Sequence, residues 1–168
     1  MALRSDPDAS GRLLAAFFQE VEPRLWTDLA EAGAVPDGLE PAARAEWECL
    51  ALDACLRGLV AAGGFGEHTA QAVDAFHAAV LEGWGADTLP LPERRERLRE
   101  RYEEYGRIAR ELESKGAARV SAMLGETAAA HACAPAAAPE ALSTLLAAMH
   151  EALVEGAAAA LGAATGSS

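Results

Sequence analysis

Residues 41–62 read PAARAEWECLALDACLRGLVAA, and this stretch decides the fold. Pro41 fits the first turn of an α-helix, where a missing amide donor costs nothing, and two glycines follow the stretch and end it. From Cys49 onward only Asp53 and Arg57 interrupt an otherwise apolar surface. A helix that is apolar nearly all round is stable only when neighbours cover it, so the pattern predicts a central buried helix at 41–62. Asp53 and Arg57 stand four positions apart and can pair on one face.

Outward from this helix, apolar residues recur at steps of three and four, which is the spacing of one helix face. No stretch alternates with period two over the length of a strand. The sequence therefore predicts an all-α protein: an antiparallel bundle of five or six helices in one domain, 1–168, with frayed ends at 1–6 and 162–168. The other predicted helices run from Pro7 or Ser10 to Glu31 with a kink or break at Pro23, and over about 67–84, 92–115, 117–133 and 139–161.

The helix at 92–115 differs from the rest because charges of both signs cover most of its surface. This predicts a long peripheral helix with one narrow apolar stripe in heptad spacing. The stripe, in which an arginine occupies one position, either packs within its own chain or forms the interface of a homodimer or of a complex with another protein. The candidate interface residues are Leu98, Tyr102, Tyr105 and Leu112. The expected i,i+4 ion pairs are Glu93–Arg97, Glu103–Arg107 and Glu111–Lys115.

The composition excludes several classes of function. The net charge is −12, which disfavours binding to phosphate backbones and to anionic membranes, so we expect no nucleic-acid partner and no membrane.

Half of the residues are hydrophobic but only 5% are aromatic, because alanine is abundant. Lysine occurs once among 14 basic residues, a bias that indicates a GC-rich bacterial genome.

The cellular location of the protein and the redox state of its cysteines are predicted from features that the chain lacks. The N-terminus has no apolar segment of the signal-peptide type, and the longest apolar tract, 142–164, is interrupted by His150 and two glutamates. Cys49 and Cys55 are too far apart along one helix for a disulfide, and with Cys133 they are interpreted as small buried hydrophobes. The sequence therefore predicts a cytoplasmic protein.

Histidine placement gives the one candidate site. His77 lies in the middle of the apolar face of the predicted helix at about 67–84. His131 aligns with the apolar residues of the predicted helix at 117–133. A buried imidazole needs a polar partner, and Asp74 stands one turn before His77, loosely like half of a bundle metal site. The candidate ligand or metal residues are therefore His77, His131, Asp74 and Asp53. The alternative is a core histidine that bonds a carbonyl or Asp53. His68 and His150 are interpreted as loop or flank residues.

No motif in the chain fixes a chemistry. The glycine loop 63–66 lacks the preceding strand and following lysine of a phosphate-binding loop, and no serine has a strand before it as in a nucleophile elbow. The leading interpretation is a small bacterial helical interaction protein without catalytic activity, an adaptor, chaperone or regulatory subunit that self-associates. The alternative is a ligand- or metal-binding bundle, conceivably an enzyme, that uses core histidines. No cofactor is predicted.

Overall fold

A computed structural model describes residues 6–84 and 91–165, with side chains as far as residue 163. These ranges hold six α-helices and one short 3-10 turn, Glu113–Lys115, and they contain no strand, so the prediction of an all-α bundle is confirmed. The helices are α1 Pro7–Glu31, α2 Glu40–Gly63, α3 Glu67–Gly83, α4 Leu91–Leu112, α5 Ala117–Cys133 and α6 Glu140–Thr165.

Helix α2 is the centre of the bundle, as its apolar surface predicts. It packs against each of the other five helices, most extensively against α6 and α5. Its apolar side chains Trp47, Leu50 and Leu59 have no exposed surface. Helix α4 packs its backbone only against α2 and α5 among the described helices, which confirms its peripheral position.

Small residues let the helices approach closely. A Cβ added at Gly58 of α2 would lie 2.6 Å from the Cβ of Ala157, and one at Gly125 of α5 would lie 2.6 Å from the backbone nitrogen of Ala147. Both partners belong to α6. Since no real side chain fits at such distances, glycine is required where α6 crosses its two main neighbours.

Helix α1 passes through Pro23 as a single element, so the alternative of two short helices is wrong. Asp6 caps its start, accepting a hydrogen bond of 3.0 Å from the amide of Asp8. One turn after the proline, the Thr27 hydroxyl donates to the carbonyl of Pro23 at 3.0 Å.

The apolar stripe of α4 packs inside the chain. Leu98 and Tyr105 are buried in the common core, and Tyr102 and Leu112 are half-buried against it. The stripe is therefore not an exposed seam, because its contacts are already made with the chain's own helices. Burial raises the pKa of both tyrosines well above the ordinary value.

The ion pairs of α4 differ from those predicted. Arg99 pairs with both Glu96 and Glu103, and Arg107 pairs with Glu111. The three pairs predicted from spacing are replaced by these because each arginine has carboxylates on both sides within reach. The predicted pair Asp53–Arg57 of α2 is present.

Helix α6 is the one described segment with the length and mean hydropathy, 1.3 over Glu140–Ala163, of a membrane-crossing helix. Core helices of soluble bundles meet the same two criteria. Here α6 packs against α5, α2 and α1, and its residues Leu142, Leu146 and Leu153 are buried.

Candidate functional site

A buried hydrogen-bonded triad of Asp53, His150 and Ser121 joins three helices inside the bundle. His150 of α6 is 1% exposed. Its Nε2 lies 3.2 Å from Oδ2 of Asp53 on α2, and its Nδ1 lies 2.9 Å from Oγ of Ser121 on α5. A buried imidazole needs partners for both nitrogens, and each of the neighbouring helices supplies one.

Arg57 fixes the carboxylate end of the triad. Its Nε lies 2.5 Å from Oδ2 of Asp53, and one Nη lies 3.3 Å from Oδ1. Burial opposes ionisation of Asp53, but the hydrogen bond from His150 and the charge of Arg57 outweigh it, so the pKa of Asp53 lies below its ordinary value. Asp53 is therefore ionised at neutral pH.

The ionised state of Asp53 determines the direction of its hydrogen bond with His150. A carboxylate has no proton to donate, so Nε2 of His150 carries the proton and donates to Asp53. When the imidazole is neutral, Nδ1 is then an acceptor, to which the Ser121 hydroxyl donates. In that state the hydroxyl is bound to one ring nitrogen and the opposite nitrogen is held by a carboxylate.

The triad lines a cavity of about 520 Å³ between α2, α5 and α6. This volume is in the range of about 300–1,000 Å³ that is usual for small-molecule sites. The triad and Arg57 supply polar groups at the wall, and the remaining lining is mostly aliphatic. The apolar lining residues are Leu56, Val60, Ala61, Phe65, Ala117, Val120 and Val154.

The rim of the cavity is exposed and partly acidic. Glu151 and Glu155 of α6 belong to it, and both are exposed. Phe65, in the loop between α2 and α3, also lines it and is 95% exposed. A large aromatic side chain that finds no core contact at the edge of an apolar cavity enlarges the apolar surface offered to a ligand.

The two histidines that the sequence analysis paired have different hydrogen-bond partners. Nε2 of His77 lies 2.9 Å from the hydroxyl of Tyr102, and Nε2 of His131 lies 2.8 Å from Oε2 of Glu104. Asp74 is exposed. Burial lowers the pKa of His77. Of the four candidate residues only Asp53 reaches the cavity. His77 bonds both the backbone of Val73 and Tyr102, so the expected bond to a carbonyl is present and the expected bond to Asp53 is not.

The interpretation of His150 as a flank residue is wrong. It lies four positions after Leu146 and three before Leu153, so it belongs to the core face of α6, whereas Met149 is half-buried. That spacing was the signal in the sequence. Among residues 6–84 and 91–163, no group of three or more histidine, cysteine, aspartate or glutamate side chains is arranged to hold a metal ion.

A second cleft, lined by arginines and glutamates of α2 and α4, lies on another side of α2. Nε and one Nη of Arg101 donate to the two carboxylate oxygens of Glu46, at 2.6 and 2.9 Å, and Arg94 forms an ion pair with Glu48. These two ion pairs attach α4 to α2. Arg97 and His131 also line the cleft, so His131 lies at this cleft and not at the triad.

Comparisons of the chain with protein-family models, with curated proteins and with solved structures find no match. The function is therefore inferred from the geometry of the cavity and of the triad.

Proposed function

We propose that this protein binds a small, mostly apolar molecule in the cavity between α2, α5 and α6, with a hydrogen-bonding group of the ligand at Ser121 and His150. The observation that supports this is the position of a fully hydrogen-bonded triad at the wall of an otherwise aliphatic cavity. Apolar walls with a few convergent polar groups are the usual composition of ligand sites.

The charges around the cavity favour an uncharged ligand. Glu151 and Glu155 at the rim repel anions, and Asp53 is already neutralised by Arg57. A cation in the interior of the cavity would find only Asp53, which is already paired with Arg57, because the carboxylates of Glu151 and Glu155 lie at the exposed rim. A neutral molecule with a carbonyl or hydroxyl group fits both conditions.

The interpretation as a non-catalytic interaction protein stays a second candidate function. It depended on the stripe of α4, whose residues Leu98 and Tyr105 are buried within the chain. Self-association, a protein partner and a cytoplasmic location stay predictions from composition and spacing.

The proposal is tested with a neutral apolar dye, N-phenyl-1-naphthylamine, whose fluorescence rises when water is excluded. We expect saturable binding to the wild type. The variant Val154→Trp fills the cavity from α6 and should weaken binding at least about tenfold, equivalent to 1.4 kcal/mol. Val73→Trp, at a half-buried valine of α3 outside the cavity, is the matched control and should leave binding unchanged.

Two outcomes would overturn the proposal. One is the absence of saturable binding to folded wild-type protein. The other is equal weakening by Val154→Trp and Val73→Trp, which would place the dye elsewhere. Circular dichroism of each variant establishes that the helical fold is retained.

A further inference from the structure

We propose that Ser121 is a nucleophile and His150 its general base, and that the cavity hydrolyses uncharged esters of small apolar acids. This rests on the proposed function, because the substrate would occupy the same cavity. The inference comes from the juxtaposition of a hydroxyl, an imidazole and a carboxylate, each contributed by a different helix, at a wall that a ligand can reach.

The order of the three groups is the order that serine nucleophiles require. The hydroxyl of Ser121 donates to one ring nitrogen of His150, and the opposite nitrogen donates to the carboxylate of Asp53. Such arrangements are recognised by geometry and roles rather than by fold or position in the sequence. Here the serine is bound to Nδ1 and the carboxylate to Nε2, which exchanges the two nitrogens of the familiar arrangement but keeps the direction of proton transfer.

The chemical step balances with water as the only other reactant. Oγ of Ser121 forms a bond to the acyl carbon of the ester while its proton passes to Nδ1 of His150. The carbon–oxygen bond to the alcohol then breaks, and the alcohol takes that proton. Water attacks the acyl-serine, gives a proton to Nδ1, and releases the carboxylic acid as Ser121 recovers its hydrogen.

Groups that can stabilise the developing negative charge lie at the same wall. Arg57 lines the cavity, and its second terminal nitrogen makes no hydrogen bond within the described residues. Ala117, which also lines the cavity, is the first residue of α5, and its amide has no backbone acceptor in the described ranges. Donors directed at a developing oxyanion contribute a large part of acyl-transfer catalysis.

Hydrolysis of 4-nitrophenyl butyrate tests the proposal, with matched pairs of variants. Ser121→Ala and His150→Gln should each lower kcat/KM at least about 100-fold. Ser114→Ala and His68→Gln make the same substitutions at exposed positions, and should leave the rate unchanged. Asp53 is a positioning residue, so Asp53→Asn should lower kcat while KM for the ester stays the same.

Covalent labelling gives a readout that does not depend on turnover. Diisopropyl fluorophosphate should phosphorylate Ser121 of the wild type, as located by peptide mass spectrometry, and should not label the His150→Gln variant. If Ser121→Ala fails to fold, labelling of Ser121 in the wild type still tests whether this serine is a nucleophile, because that arm of the experiment needs no Ser121 variant.

The proposal is overturned if folded wild-type protein neither takes the label on Ser121 nor hydrolyses the ester faster than buffer. It is equally overturned if His68→Gln lowers the rate as much as His150→Gln. If the dye still binds in the cavity in either case, the binding function stands and only the hydrolytic step is lost. If the dye does not bind, the proposed binding function and the hydrolytic step are both contradicted.

Discussion

Asp53 and His150 are 97 positions apart in the sequence and are joined by a hydrogen bond of 3.2 Å in the interior of the bundle. The bond connects α2, the central helix, to α6, and Ser121 extends it to α5. Three helices that meet through polar groups at one point have a fixed relative register, since a shift of any one leaves a buried donor or acceptor without a partner.

Removal of the Asp53 carboxylate should be strongly destabilising. Asp53→Ala leaves Arg57 and Nε2 of His150 without their acceptor, and breaking a buried ion pair from one side costs about 3 kcal/mol or more. Asp74→Ala is the control, because Asp74 is exposed and its removal should change the free energy of unfolding by less than about 0.5 kcal/mol. Urea denaturation of both variants measures the difference. Similar losses in the two would show that the triad does not stabilise the fold.

The Asp53 carboxyl should make stability depend on pH in the acid range. Its pKa in the folded protein lies below the ordinary value of 3.8, so the unfolded chain binds more protons over that interval. The stabilisation is complete well above pH 3.8 and is lost as the pH falls through the folded pKa. We expect the difference in unfolding free energy between the wild type and Asp53→Asn to narrow on acidification. A difference that is constant with pH would contradict this.

Two glycine-to-alanine substitutions should have opposite signs. At Gly125 the new Cβ would lie 2.6 Å from the backbone nitrogen of Ala147, so α5 and α6 must separate, at a cost of about 1–3 kcal/mol. At Gly106 of α4 the nearest atom is the flexible end of Arg110, at 3.5 Å. There alanine should stabilise the helix by about 0.5–1 kcal/mol. Thermal unfolding followed by circular dichroism checks both, and destabilisation by Gly106→Ala would be the unexpected result.

The ion pairs of α4 should differ in strength according to burial. The side chains of Glu46 and Arg101 are 7% and 14% exposed, and Glu46→Ala, which leaves Arg101 with only a 3.8 Å contact to Glu104, should cost about 3 kcal/mol. Glu103, which pairs with Arg99, is 69% exposed, and Glu103→Ala should cost about 0.2–1 kcal/mol. Denaturation in low and high salt gives a second check, since only the exposed pair should weaken with ionic strength.

Part of the triad was accessible to sequence reasoning. The pairing of Asp53 with Arg57 follows from their spacing, because residues four apart share a helix face whatever the helix packs against. The core position of His150 could also be predicted, because it lies four positions after Leu146 and three positions before Leu153 in the sequence. Ser121 lies three positions before Leu124 and seven before Ala128, so its core position could be predicted in the same way, but spacing does not say which group its hydroxyl meets.

The helices, the central position of α2 and the charged periphery of α4 were determined by the sequence alone. Each follows from the periodicity of apolar residues, which is local: a helix buries the face that its own sequence makes apolar. The partner of each buried polar group was decided only by the tertiary structure. Whether His77 meets Asp53 or Tyr102, and whether His150 meets Ser121, depends on which helices lie side by side and at what rotation, and these are set by the whole core at once.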